Sequence, residues 1–128
     1  MRGSEAARPA DRAASGLREL KADRLDLAAR MIGPGASGEL RRAALTTLVT
    51  GRLAALFDAA VAELDSAEGL ALAAVGSLGR GDASPGSDLD LLLVHDGRSH
   101  GSEQVAALAE RLWYPIWDAG LQLDHSVR

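Results

Sequence analysis

The spacing of apolar positions changes twice along the chain, and each change marks a new kind of element. From Asp11, read as an N-cap, Leu17, Leu20, Leu27 and Met31 recur at helical spacing. Gly33-Pro34-Gly35 supplies a stop. Ser37 is placed to cap a second, longer helix, with Glu39 in its first turn where the helix dipole favours an acid. Its stripe runs through Leu45, Leu48, Val49, Leu53, Leu56, Phe57, Ala60, Val61 and Leu64. Residues 1–10 show no periodicity and read as a flexible tail, so 11–68 form an N-terminal helical segment. Both stripes read as packing faces and carry no chemistry.

After Gly69 the helical period is lost. Leu70 to Val75 and Leu89 to Val94 are short, continuous apolar runs flanked by turn residues, as expected of strands buried on both faces. Asp96-Gly97 signals a turn, and 97–101 reads as a loop. A third helix runs from Ser102 through Val105, Leu108, Leu112 and Trp113, with a bend expected near Pro115. Leu121 to Val127 then alternates with period two: Leu121, Leu123 and His125 share one face, Gln122, Asp124 and Ser126 the other. The order helix, helix, strand, strand, helix, strand predicts an α+β fold, a small mixed sheet with helices packed on it. The segment 69–128 is its core, and the stop at Arg128, in or just past a strand, reads as a truncation at the C-terminus.

Composition narrows the function classes. Hydrophobic residues make up 47% and charged residues 25% of 128 positions, the balance of one folded domain. The four aromatics, Phe57, Trp113, Tyr114 and Trp117, leave a core of Leu, Val and Ala. A net charge of −4 argues against a nucleic-acid polymer as partner. The absence of cysteine excludes disulfides and thiolate metal sites. No apolar run approaches the roughly 18 residues of a membrane span. The arginines at 2, 8 and 12 precede no apolar run of the signal-peptide kind, and Glu5, Asp11, Glu19 and Asp23 spoil a transit peptide. A cytoplasmic protein without a membrane partner is the expectation.

The chemistry concentrates in GSLGRGDASPGSDLDLLLVHDG, residues 76–97. Asp88 and Asp90 lie two apart, hence on one face of the second strand. Two carboxylates about 5 Å apart repel by roughly 3 kcal/mol at an effective dielectric near 20, so a positive group should stand between them. No Lys or Arg is adjacent in sequence, and a hard divalent ion, Mg²⁺ where phosphate is also present, suits an all-oxygen site. The bland reading is a strand end with two solvated acids. Upstream, Gly76-Ser77 follows the first strand, where a turning backbone offers N–H groups and a hydroxyl to phosphate. Arg80 adds a cation suited to phosphate oxygens. Arg80-Gly81-Asp82 also spells an integrin-binding tripeptide, taken here as coincidence.

Val75-Gly76-Ser77, a gap, then Asp88-Leu89-Asp90-Leu91 resembles the signature of the polymerase-beta-like nucleotidyltransferase superfamily. With LWYPIWDAGLQLDHSVR downstream, residues 70–128 resemble the N-terminal domain of the bacterial PII uridylyltransferase and uridylyl-removing enzyme family. The resemblance implies a polymerase-beta-like fold preceded by the two helices, and Mg²⁺-dependent transfer of UMP from UTP to a tyrosine of the PII signalling protein, releasing pyrophosphate. It assigns Asp88 and Asp90 as catalytic metal ligands, Asp124 as a third ligand, and Gly76, Ser77, Arg80 and Ser87 to the phosphates. Transfer of AMP from ATP and a non-catalytic nucleotide-binding module are the alternatives. A metal-dependent glycosyltransferase, which also uses D-x-D, is a rival that wants a larger nucleotide-sugar domain. His95 and His100 lack partners at metal-ligand spacing and read as surface or turn residues. Trp113 and Trp117 read as helix–sheet packing rather than base stacking, and Asp118 as a helix-end residue.

Overall fold

A computed structural model describes residues 8–33, 37–82 and 84–128. The elements are α1 (Pro9–Arg30), α2 (Gly38–Val61), β1 (Leu70–Ala74), a short α3 (Gly76–Gly79), β2 (Leu89–His95), α4 (Ser102–Asp118) and β3 (Leu123–Val127). β1 pairs with β2 antiparallel and β2 with β3 parallel, giving the small mixed sheet expected, in the order β1-β2-β3. The parallel pair is joined through α4, the crossover such a pair needs.

Local chemistry sets the helix ends. Ser37 caps α2 as expected, its hydroxyl accepting from Leu40 N at 3.0 Å. α1 departs from expectation: the N-cap is Arg8, not Asp11, and the helix begins two residues inside the stretch read as tail. Pro9 at the first helical position explains this, because its fixed φ is helical and its missing N–H would have no partner there. The Pro34-Gly35 stop and residues 1–7 of the tail lie outside the described residues. α4 runs through Pro115, where the sequence suggested a bend, to Asp118, and Gly120, at φ +77°, closes its C-terminus. β3 starts at Leu123, later than the alternation suggested, although Leu121 before it is buried. At the other end of the sheet, Asp96 shapes the turn after β2 by accepting from the Ser99 hydroxyl at 2.6 Å and from Ser99 N and Arg98 N. Those bonds, the Ser99 hydroxyl foremost, hold its carboxyl well below the usual range.

One hydrophobic core joins the helical segment to the sheet. Leu17 and Leu20 of α1, Val49 and Leu53 of α2, and Leu108, Leu112 and Ile116 of α4 meet Leu89, Leu91 and Leu93 of β2. The opposite face of the sheet carries no helix among the described residues. Its Ala71 and Val94 are exposed and its Leu92 is half-buried, so the strands are not buried on both faces as their apolar runs suggested. Apolar continuity reported strand length correctly but not cover. α2 also departs from the reading that no segment could span a membrane: by length and composition alone it is long and apolar enough. The exposed Ala43, Ala54 and Ala55 add to its apolar stripe, while Leu45, Val49, Leu53 and Leu56 pack into the core.

The turn leaving β1 is tightly built. A Cβ on Gly79 would stand 2.5 Å from the Ala74 carbonyl oxygen, a contact with rigid backbone rather than a movable side chain. Gly79→Ala is therefore expected to lower stability by about 1–3 kcal/mol, the range for overpacking. Chemical denaturation of both chains checks it, and an unchanged midpoint would contradict the close approach of α3 to β1.

Candidate functional site

The chain leaves β1, makes the α3 turn, and returns to β2 by a loop, so that two segments far apart in sequence end side by side. Val75 N donates to Asp90 O at 2.9 Å, which carries the β1–β2 ladder up to the first residue of the Gly-Ser turn. Gly76 follows at φ +62°, in the left-handed region that only glycine adopts freely. A Cβ there would lie 2.9 Å from Asp90 Oδ2, so the missing side chain is the space the carboxylate occupies. Ser77 sits next along α3, half-buried, with its carbonyl accepting from Asp82 N at 2.8 Å.

The parallel register of β2 and β3 supplies the other side. Asp90 is the Cα partner of Asp124, as Leu89 is of Leu123 and Leu91 of His125. Register partners share a face, and adjacent strands lie about 4.8 Å apart, so Asp124 stands beside Asp90 on the face that no helix covers. Asp88 lies one residue before β2, exposed, on the approach to the same edge. Among the described residues no three His, Cys, Asp or Glu side chains are gathered into a ready-made metal cluster. The donor set is nonetheless all oxygen. It fits Mg²⁺, which is usually held by one or two carboxylates, substrate phosphates and water rather than by an all-protein cage.

The remaining residues singled out from sequence are placed differently. Arg80 is exposed and faces Asp82 at 3.6 Å, while Arg42 of α2 approaches the same carboxylate at 4.0 Å. The Arg-Gly-Asp tripeptide is thus folded on itself. The Ser87 hydroxyl accepts from Ser84 N at 2.8 Å and bonds the Ser84 hydroxyl at 2.9 Å, closing the turn before Asp88. His95 ends β2 half-buried, with its Nδ1 buried and without a partner, and His100 Nε2 lies 3.1 Å from Glu68 O. Trp113 is buried and Trp117 exposed, and the two rings flank His125 of β3 at 5.0 and 5.1 Å. That is helix–sheet packing, on the face away from Asp90 and Asp124.

Sequence reasoning missed Arg24. It is the one charged side chain buried among the described residues, at 5% exposure. Its Nη1 donates to Ser87 O at 2.9 Å, and its buried Nε has no partner. Burial pushes the guanidinium below its ordinary value, and the negative charge of Asp88 opposes that shift. A signal was present: Ala13, Leu17, Leu20 and Arg24 form the buried stripe of α1, so an arginine stands at a core position of an apolar face.

Comparison with known proteins shows the family. The model of the family described as nucleotidyltransferase domain matches residues 57–126, from the last turns of α2 through most of β3. The chain is 58% identical over 100 residues to the bifunctional uridylyltransferase/uridylyl-removing enzyme of Streptomyces coelicolor, covering 77% of this chain and 11% of the relative. The enzyme of that name from Mycobacterium tuberculosis (strain H37Rv) is 53% identical over 62 residues, 48% of this chain and 7% of its own length. That of Corynebacterium glutamicum is 52% identical over 60 residues, 47% and 8% respectively. The chain therefore spans about a tenth of the length of the curated relatives it matches. No solved structure matches it.

Proposed function

Because the chain belongs to the nucleotidyltransferase domain family, we propose that its open sheet face transfers UMP from UTP to a tyrosine hydroxyl of the PII signalling protein. The observation that carries this reading is the juxtaposition of Gly76-Ser77, Asp90 and Asp124 on that face. The tyrosine oxygen attacks the α-phosphorus, the bond from that phosphorus to the β-phosphate bridging oxygen breaks, pyrophosphate leaves, and the phenolic proton passes to solvent. Asp88, Asp90 and Asp124 would hold Mg²⁺, which when bound supplies charge neutralisation at the triphosphate and leaving group. Gly76 and Ser77 lie beside Asp90 and are assigned to the phosphates, with Ser77 offering a hydroxyl and Gly76 a backbone free to approach closely. Arg80 would reach the outer phosphates by turning away from Asp82, an exchange of one exposed ion pair for another. Ser87 serves the site through the turn that delivers Asp88. Alignment and fixed charge are the main sources of acceleration in such a reaction. The setting assigned is the cytoplasm, with no membrane or nucleic-acid polymer as partner.

Incubating the full-length protein that carries this chain with α-labelled UTP or ATP, Mg²⁺ and PII tests the reading. Label from UTP on a PII tyrosine, with equimolar pyrophosphate, is the expected result. Label from ATP alone would reassign the base, and no transfer from either nucleotide would overturn the reading.

A further inference from the structure

We infer that Arg24 is a positioning residue for the carboxylate site: α1 supplies the buried guanidinium that holds the Ser87 carbonyl and so fixes the backbone entering Asp88. The inference rests on the metal reading of Asp88 and Asp90, and extends the working site to a helix outside the segment matched by the family model, which begins at residue 57.

The loop from α3 to β2 has few other anchors near its end. The Ser84–Ser87 bonds close the turn on itself, and Leu89 N is held by Gln122 O at 2.8 Å. Between those points the described tie to the body of the protein is Arg24 Nη1 on Ser87 O. The tie comes from a braced helix. Arg52 of α2 donates Nη1 to Gly16 O at 2.6 Å and Nη2 to Asp23 Oδ2 at 2.7 Å, so the residue before Arg24 is clamped to the neighbouring helix. A Cβ on Gly16 would meet Arg52 Cδ at 3.2 Å, which shows how closely the guanidinium stem crosses α1. The brace runs from α2 through Asp23 and Arg24 to Ser87 and Asp88.

A buried guanidinium is costly without an acidic neighbour, and Asp88 is that neighbour by charge. Other arrangements would bury an apolar residue at this position more cheaply, as Ala13, Leu17 and Leu20 do on the same stripe. A cavity of about 220 Å³ adjoins Arg24, Pro85 and Gln122, so a smaller or neutral side chain has room to settle without clashing.

Charge and position predict opposite signs, which makes the test decisive. Removing a cation near an acidic site tightens divalent-ion binding if charge alone matters. Releasing Asp88 from its fixed pose weakens it. Mn²⁺ binding to the chain, followed by electron paramagnetic resonance, reads this without any turnover. Arg24→Met is expected to bind Mn²⁺ about 10-fold more weakly, and in the full-length protein to lower kcat by about 10- to 100-fold with the KM for nucleotide little changed, the scale of a misplaced group. Arg24→Lys, which can still donate to Ser87 O, is expected to recover most of both losses. Should Arg24→Met fail to fold, Arg24→Leu, which likewise cannot donate to Ser87 O, carries the same expectations. Unchanged or tighter Mn²⁺ binding in the neutral variants, or wild-type kcat, would overturn the inference. If the parent chain shows no Mn²⁺ site that Asp90→Asn removes, the metal reading itself fails, a result visible before any Arg24 variant is made.

Discussion

Asp90→Asn is expected to reduce nucleotidyl transfer by about 10³-fold, the scale of losing a charge-stabilising group at the reacting centre, while leaving the fold intact. Asn has nearly the shape of Asp, and the side chain is half-buried on a face that no described helix covers, so packing changes little. What changes is charge. Asp90 sits between Gly76 on one neighbouring strand end and Asp124 on the other, so it is the residue most central to any ion and phosphate held there. Removing one of two adjacent acids also relieves repulsion, and the melting temperature is expected to equal or exceed that of the parent. Asp88→Asn should show the same loss. Transfer assays with Mg²⁺ as the only metal, paired with thermal melts, check both statements. Parent-like turnover would remove the carboxylates from the reaction, and a large fall in melting temperature would make Asp90 a structural residue.

Gly76→Ala is expected to damage both stability and transfer, through one methyl group. At φ +62° an alanine is strained by about 1–2 kcal/mol. Its Cβ would also arrive 2.9 Å from Asp90 Oδ2, so either the carboxylate turns away or the turn after β1 shifts. Both displace the phosphate-side backbone from the metal-side carboxylate, and a misplacement on the order of 1 Å costs about 100-fold in rate. Denaturation midpoints and kcat measured on the same preparation check the pair. Gly86→Ala is the control, because a Cβ there meets nothing within 4 Å and its φ is not in the left-handed region. Equal losses in the two variants would mean that loop flexibility, not the fit of Gly76 against Asp90, governs the site.

Much of this architecture was legible as pattern. Helical spacing from Leu45 to Val61, the Ser37 cap, the apolar runs around Leu72 and Leu91, and the alternation at 121–127 each report on a local preference that tertiary packing reinforces, although the last member of the helical stripe, Leu64, falls past the end of α2. The Gly-Ser and Asp-x-Asp segments were visible for a related reason. Their chemistry requires particular residue types at short spacing, and short spacing survives in sequence. Boundaries were less legible. Pro9 rather than Asp11 starts α1 because a fixed φ and a missing N–H decided between two adjacent capping choices.

The sequence by itself determined the order and type of the three long helices and the three strands, and that Asp90 falls in the second strand with Asp88 just ahead of its first residue. Tertiary structure alone decided three things. The parallel register of β2 and β3 set Asp124 opposite Asp90; the alternation at 121–127 puts Asp124 on the polar face, but pairing with β2 decides which residues that face meets. Close approach of the β1 end to β2 made the absent Cβ of Gly76 the space for a carboxylate, a contact between positions fourteen residues apart. Docking of α1 brought Arg24 to Ser87, 63 residues away, where burial of an apolar stripe carried one guanidinium inward with it. Local preferences act over a few residues, whereas the site is assembled by the shared core of α1, α2, α4 and the sheet.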